Sequence, residues 1–180
     1  MKKLLIFVGV ICAFCAYCIF SNEMELRAMA TVEGRQEVIA QEVIAEQDGD
    51  VVIISEKELE GYIISAYEVN KEHGYAIFMP EGEGKYDLRT YSGSPREKSR
   101  LIAGTFDIAE NSYEIFVCGD ERVEDLEVTI RDTYTGELLQ QEEISLEDSC
   151  IAVLKRDPVV WAWQTDIIGY DAEGNAYELI

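Results

Sequence analysis

The chain begins with an unbroken apolar run and then changes to short apolar segments separated by polar turns. Leu4–Phe20 contains 17 uncharged residues and follows Lys2 and Lys3. At about 1.5 Å per residue, a helix of this length extends about 25 Å, close to the roughly 30 Å of a hydrocarbon core. The pattern predicts a membrane-spanning helix over residues 1–20, acting either as an uncleaved signal anchor or as a signal peptide.

The two alternatives differ in whether the leader is removed. Ala28-Met29-Ala30 has the small-x-small spacing of a cleavage site, but three charged residues separate it from the apolar run. The run is also longer than the apolar region of most signal peptides, which favours the anchor. Both alternatives leave the N-terminus cytoplasmic and export the rest of the chain. Cleavage after Ala30 would give a secreted protein.

Residues 21–50 follow a helical pattern. The five residues QEVIA occur at Gln36–Ala40 and again at Gln41–Ala45, which places apolar side chains along one side of a helix. We expect a helix from Ser21 to about Gln47, ended by Asp48-Gly49-Asp50. This segment would form a stalk above the membrane or pack against the sheet that follows.

Residues 51–95 contain runs rich in Val, Ile, Tyr and Phe, separated by short polar turns. Such connections join neighbouring strands, so they predict a small antiparallel β meander. The four expected strands are Val51–Lys57, Tyr62–Val69, Gly74–Pro80 and Lys85–Ser92.

Residues 100–180 show the strand and turn spacing of an immunoglobulin-like (Ig-like) β-sandwich, after a boundary at Ser92-Gly93-Ser94-Pro95. The fold class is therefore predicted to be mainly β. The seven expected strands are Leu101–Ala109, Tyr113–Cys118, Leu126–Thr133, Glu137–Ile144, Cys150–Lys155, Trp161–Tyr170 and Ala176–Ile180.

A resemblance to a broad class of proteins rests on the basic and apolar leader and on the last hairpin, Gly169–Tyr177. The chain resembles the broad set of small membrane-tethered extracytoplasmic bacterial proteins that end in an Ig-like domain. It departs from antibody-type domains because Cys118 and Cys150 lie close together in sequence with no Trp between them. The resemblance implies an architecture and a location, and it implies no activity.

Charge narrows the classes of partner. The chain has 15 Lys and Arg against 36 Asp and Glu, a formal net charge of −21. Only Lys2 and Lys3 precede the apolar run, so the remainder carries −23. An exported part this acidic repels polyanions, so nucleic-acid binding is not expected. The dense acidic runs fall at predicted turns and strand edges, where they are expected to be solvated surface.

The terminal hairpin also contains a candidate calcium loop. Asp171, Glu173 and Asn175 offer oxygen ligands on alternate residues, with Gly174 at the turn. An ordinary hairpin turn explains the same residues without an ion. Calcium is the one cofactor that the sequence suggests, and the hairpin turn is the favoured interpretation.

Two cysteines and two tryptophans are the remaining candidates. Cys118 and Cys150 lie at the ends of predicted strands, so either a disulfide or two buried thiols fits an exported domain. Trp161 and Trp163 share one face of a strand, as part of the core or as an exposed binding ledge. His73, the one His, is expected in an exposed turn over Asn70–Gly74.

The sequence contains no recognisable catalytic or nucleotide-binding motif. It therefore predicts a non-enzymatic binding or interaction module that contacts the membrane through residues 4–20. One alternative is an accessory subunit of a membrane transporter or envelope complex, in contact with another envelope protein. A second alternative is an envelope enzyme that uses a pair of acidic residues.

Overall fold

The computed structural model describes residues 2–43, 49–92, 100–146, 149–156 and 162–179; the side chains of residues 2–10, 12, 13 and 178 lie outside this description. The described part is mainly β, with antiparallel sheets, and this confirms the predicted fold class at that level.

The helical segments come first. Helix α1 spans Lys2–Ala28, helix α2 spans Val32–Val38, and a π-helical turn spans Ile39–Val43. The expected continuous helix over residues 21–47 is interrupted because Thr31 caps α2: its hydroxyl accepts a hydrogen bond from the Gly34 N–H at 3.1 Å. Residues 44–48, where the helix was expected to end, lie outside the described residues. Among the described residues, no helix is both long and apolar enough to cross a membrane.

The meander forms one sheet in the order β1-β2-β3-β4, as predicted. Its tight turns, at Glu60-Gly61 and Asn70-Lys71, have positive φ at both central residues, which matches the twist of a hairpin. The strands of this meander sheet are β1 Val52–Leu59, β2 Tyr62–Val69, β3 Glu72–Pro80 and β4 Tyr86–Tyr91.

The remaining strands form two further sheets. The middle sheet has the order β5-β6-β9, and the outer sheet has the order β11-β10-β7-β8. The strands are β5 Leu101–Ile108, β6 Asn111–Cys118, β7 Asp125–Asp132, β8 Leu138–Ser145, β9 Ile151–Arg156, β10 Trp163–Tyr170 and β11 Ala176–Glu178.

Three apolar cores join these elements into four layers. Phe116 and Leu126 belong to the core between the middle and outer sheets, which form a β-sandwich. Ile64 and Ile115 belong to a second core, between the meander sheet and the middle sheet. A third core, with Ile39 fully buried, joins the helical segments to the other face of the meander sheet. The middle sheet is therefore covered on both faces, and the meander and sandwich share a core. The predicted boundary falls largely within residues 93–99, outside the described residues.

Candidate functional site

An open cleft of about 720 Å³ lies where the meander sheet meets the loops that follow β6 and β8. We call it the interlayer cleft. Apolar side chains and thiols lie beside charged groups of both signs. Its lining residues are Ile54, Ser55, Glu68, Lys71, His73, Cys118, Gly119, Asp120, Glu121, Val123, Leu146, Ser149 and Cys150.

The two cysteines lie side by side at this cleft, where β6 ends and β9 begins. The Cys118 N–H donates a hydrogen bond to the Cys150 carbonyl at 2.9 Å, which continues the antiparallel ladder by one residue pair. Both thiols are free in the structure. Burial raises the pKa of each thiol, so both stay protonated at neutral pH. The backbone places the two residues side by side, and the disulfide itself stays a prediction.

His73 forms part of a wall of the cleft, and its expected place in an exposed turn is wrong. The turn consists of Asn70 and Lys71 alone, because Asn readily adopts positive φ, so His73 already belongs to β3. Its side chain is 17% exposed, and its Nε2 lies 3.4 Å from Glu68 Oε2 on the neighbouring strand. The Asn-Lys pair was the sequence signal for this shorter turn.

Gly119 makes room for the imidazole. A Cβ atom placed on Gly119 would lie 2.6 Å from His73 Nδ1, so any larger residue there would displace the ring. Glycine is therefore needed for the close approach of the loop after β6 to the meander sheet. The distance between the His73 ring and the loop after β6 therefore depends on the absence of a side chain at position 119.

Asp120 is held by an arginine at the rim of the cleft. Its Oδ1 accepts a hydrogen bond from Arg122 Nε at 2.8 Å, and its Oδ2 accepts one from Arg122 Nη2 at 2.6 Å. These contacts hold the pKa of Asp120 at about 2, so the carboxylate is charged at neutral pH. The guanidinium in turn lies over the Tyr177 ring, 4.6 Å from its centroid.

The candidate calcium loop is organised as a hairpin turn. Asp171 Oδ1 accepts hydrogen bonds from the N–H groups of Glu173 and Asn175 at 3.0 and 2.9 Å. Its Oδ2 accepts one from the Tyr177 hydroxyl at 2.8 Å. The hydrogen bond from the Asn175 side chain is the largest of the effects that lower the pKa of Asp171 to about 2. Within the described ranges, no group of three or more metal-ligating side chains is arranged to hold an ion.

The tryptophan ledge is described only in part. Trp161 lies outside the described residues. Trp163 is half-buried against the sandwich core, and the Arg156 guanidinium lies 3.5 Å from the centroid of its ring. At least one face of Trp163 is therefore covered by a cation.

Glu114 is a buried acid that sequence reasoning missed. It lies in β6 among apolar residues, is 3% exposed and accepts a hydrogen bond from the Thr165 hydroxyl at 3.1 Å. The sequence feature that could have identified Glu114 is its position as the single charged residue in the run Tyr113–Cys118. A buried charge requires a partner or a function.

Comparisons with known protein families, with curated proteins and with solved structures find no match to this chain. The resemblance to membrane-tethered Ig-like proteins therefore stays a prediction.

Proposed function

We propose that the protein is a non-enzymatic, membrane-anchored extracytoplasmic module that binds a ligand in the interlayer cleft. The cleft carries the proposal because it joins an apolar floor, with Ile54 and Leu146, to a rim of both charges. Such a lining suits an amphiphilic ligand, whose apolar part is buried while its polar groups meet the rim. The Ser55 and Ser149 hydroxyls, 2.9 Å apart, add neutral hydrogen-bonding groups.

The first helix supports the membrane anchor. Large apolar side chains between Ile11 and Phe20 are 46–69% exposed, so the described part of the protein leaves them largely uncovered. Exposed apolar surface of this kind suits the interior of a bilayer. The basic residues Lys2 and Lys3 would hold the N-terminus in the cytoplasm.

Packing at the end of α1 supports an anchor that is retained rather than cleaved. Met29 is 3% exposed in the third core, and Leu26 packs against the same core. The Met29 carbonyl accepts a hydrogen bond from Arg35 Nη1 at 2.7 Å. Cleavage after Ala30 would remove both apolar side chains and leave a buried guanidinium without this acceptor.

The sandwich supports an Ig-like classification with one variation. In constant-type Ig domains, the fourth strand belongs to the sheet of the first, second and fifth strands. Here β8, the fourth strand after residue 100, pairs with β7 in the opposite sheet. We place the protein among Ig-like sandwiches with a switched fourth strand. Loops at the end of such a sandwich commonly form binding sites.

The accessory-subunit alternative rests on the same exposed helix. Side chains such as Phe14, Tyr17 and Ile19 would then contact the helices of another membrane protein in place of lipid. Replacing Leu4–Phe20 by an unrelated membrane helix separates the two cases. A lipid anchor tolerates the replacement, and a subunit contact does not.

A cleft-filling variant tests the binding function. Ile54→Trp adds bulk to an exposed position of the cleft, and Leu138→Trp adds the same bulk to an exposed position on β8. Each full chain would be isolated from native membranes in mild detergent and examined by native mass spectrometry. We expect the wild type and Leu138→Trp to retain a bound component that Ile54→Trp loses. Equal retention in all three chains, or an empty wild-type chain, would overturn the proposal.

A further inference from the structure

A second cavity, of about 300 Å³, opens inside the sandwich between β5 and β10. We call it the strand-edge cleft. It is independent of the interlayer cleft and of the function proposed for it. Its lining is Ala103–Thr105 of β5, Glu114 and Phe116 of β6, and Trp163, Thr165 and Ile167 of β10.

Strand β10 is paired along only part of one edge in the described residues. Strand β11 pairs with β10 only over Ile168–Tyr170. The other half of β10, Trp163–Ile167, is paired on one side with β7, and no described strand pairs with its other side. Strand β5 lies at the end of its sheet, since β6 is its one neighbour among the described strands. Two strand edges therefore border the same cavity.

The ladder fixes which backbone groups face this opening. The Thr133 N–H donates a hydrogen bond to the Ala162 carbonyl at 3.2 Å, so these opposed residues form a hydrogen-bonded pair. Hydrogen-bonded and non-hydrogen-bonded pairs alternate in an antiparallel ladder. Trp163 and Thr165 are therefore in non-hydrogen-bonded pairs with β7, and their N–H and C=O groups point to the open side.

The floor of the cleft combines small residues with an incompletely paired acid. Ala103 and Thr105 are exposed, so the face of β5 toward the outer sheet leaves space. Glu114 Oε1 lies 3.8 Å from Arg156 Nη1, which is too long for a hydrogen bond. Among the described residues, this buried Nη1 has no hydrogen-bond partner. Glu114 can thus accept a further donor from the cleft.

We propose that the strand-edge cleft receives an extended, basic peptide segment of a partner protein. The segment adds to the open half of β10, antiparallel to it and in line with β11. Alternate side chains enter the cleft, where apolar ones meet Phe116 and Ile167 and a lysine meets Glu114. Because the residues after Phe20 carry a formal net charge of −23, a positively charged segment is attracted and a negatively charged one is repelled.

Two capped peptides of seven residues test this assignment on the full chain in nanodiscs. One is Thr-Val-Thr-Lys-Thr-Val-Thr, and the other replaces the central Lys by Glu. We expect the lysine peptide to bind at least about tenfold more tightly by fluorescence anisotropy, as a charge-assisted hydrogen bond to a buried acid implies. It should also slow amide hydrogen exchange at residues 163 and 165.

Three variants identify the contacts. Glu114→Gln should reduce the preference for lysine below about threefold, because the charge is lost and the hydrogen-bonding shape is kept. Thr165→Pro should abolish binding, because it removes an N–H from the open edge and the hydroxyl that donates to Glu114, and it leaves the ladder to β7 intact. Glu143→Pro, on the edge strand β8, is the control. Leu146 and Glu124 form a hydrogen-bonded pair between β8 and β7, and such pairs occur at every second residue. Glu143 lies three residues from Leu146, so its N–H points away from β7. Circular dichroism confirms that each variant is folded.

The results separate a partner peptide from other occupants. Binding of neither peptide, or equal binding of both, would overturn the proposal. So would binding that Thr165→Pro leaves unchanged. A dimer in sedimentation that Thr165→Pro dissociates would assign the edge to a second copy of this chain, and this also contradicts the proposal.

Discussion

Among the described residues, two glutamate–arginine pairs each have one buried member, and they are built in opposite ways. In the first, Arg35 is 4% exposed and donates from Nε and Nη2 to both oxygens of Glu56, at 2.8 and 2.6 Å. In the second, Arg156 and Glu114 are 3.8 Å apart, beside an open cavity. The first pair is complete and joins two layers. The second retains capacity for an incoming group.

The surroundings of each pair explain this difference. The Ser65 hydroxyl donates to Glu56 at 2.6 Å, and the Met29 carbonyl accepts from Arg35, so the first pair has its hydrogen bonds satisfied inside the protein. In the described part of the chain, Glu114 has the Thr165 hydroxyl alone at hydrogen-bonding distance. Buried polar groups with all their hydrogen bonds made rigidify a structure, and a buried group with fewer hydrogen bonds needs an explanation.

The largest expected effect comes from removing each arginine in turn. Arg35→Met leaves the partly buried Glu56 without its partner and should lower the free energy of unfolding by about 3 kcal/mol. Arg156→Met removes a longer contact and a cation–π interaction, and should cost about 1–2 kcal/mol. Urea denaturation of both variants measures the difference. Equal losses would show that the two pairs are energetically alike.

A double variant separates the charge from the packing of the first pair. Arg35→Met with Glu56→Leu leaves no unpaired charge and should recover most of the stability lost by Arg35→Met alone. If the double variant is as unstable as the single one, the aliphatic packing of Arg35 accounts for its role.

A smaller loss of stability is expected at the contact between the meander sheet and the middle sheet, each of which contains one of the two glutamates. A Cβ atom on Gly104 would lie 1.8 Å from the Tyr75 hydroxyl oxygen, so β5 and β3 approach too closely for a side chain. Gly104→Ala should lower the free energy of unfolding by about 1–3 kcal/mol in thermal melts. Tyr75→Phe in the same chain should restore part of that loss. Ala103→Val, at an exposed position of β5, is the matched control and should change stability little.

The smallest expected effect is a pH dependence of the first pair. Burial raises the pKa of Glu56, but the Arg35 guanidinium and the Ser65 hydroxyl outweigh it, and the pKa is lowered from its usual value. A lowered pKa gives stability that is present above the unfolded value, about 4.3, and is lost as the pH falls through the folded value. The wild type should therefore exceed Glu56→Gln in stability at pH 7, and this advantage should shrink as the pH falls below about 4.3 towards the lowered folded value.

The control for this pH dependence is Glu58→Gln, at an exposed position two residues along the same strand. Its difference from the wild type should stay nearly constant over the same range. An advantage over Glu56→Gln that persists unchanged at about pH 3 would mean that Glu56 stays charged there, or that its charge does not stabilise the fold.

Strands were predictable from the sequence because their cues are local. The alternation in Leu126–Thr133 and the turn residues around Tyr62–Val69 depend on neighbouring positions, and the observed bounds agree within one residue. The exposed turn predicted over Asn70–Gly74 was too long, since β3 already begins at Glu72. Local patterns place strands well and place individual turn residues less well.

The layers and the two clefts were not predictable, because they depend on contacts between distant segments. A continuous apolar run such as Tyr113–Cys118 indicates burial on both faces and does not identify the covering layer. The interlayer cleft brings together Ile54, His73, Asp120 and Ser149, which no spacing rule connects. The strand-edge cleft brings together residues of β5, β6 and β10, whose neighbourhood is set by the order of strands in two sheets.

The unbroken course of α1 into its packed end has a consequence for how the module would meet its targets. Leu26 and Met29 pack in the third core, and Lys85 Nζ lies 3.0 Å from Glu23 Oε1, so these contacts tie the end of α1 to the meander sheet. In the proposed membrane setting, both clefts would be held at a constant height and tilt. The module would search for partners by lateral diffusion in a thin shell above the lipid, and molecules outside that shell would stay beyond its reach.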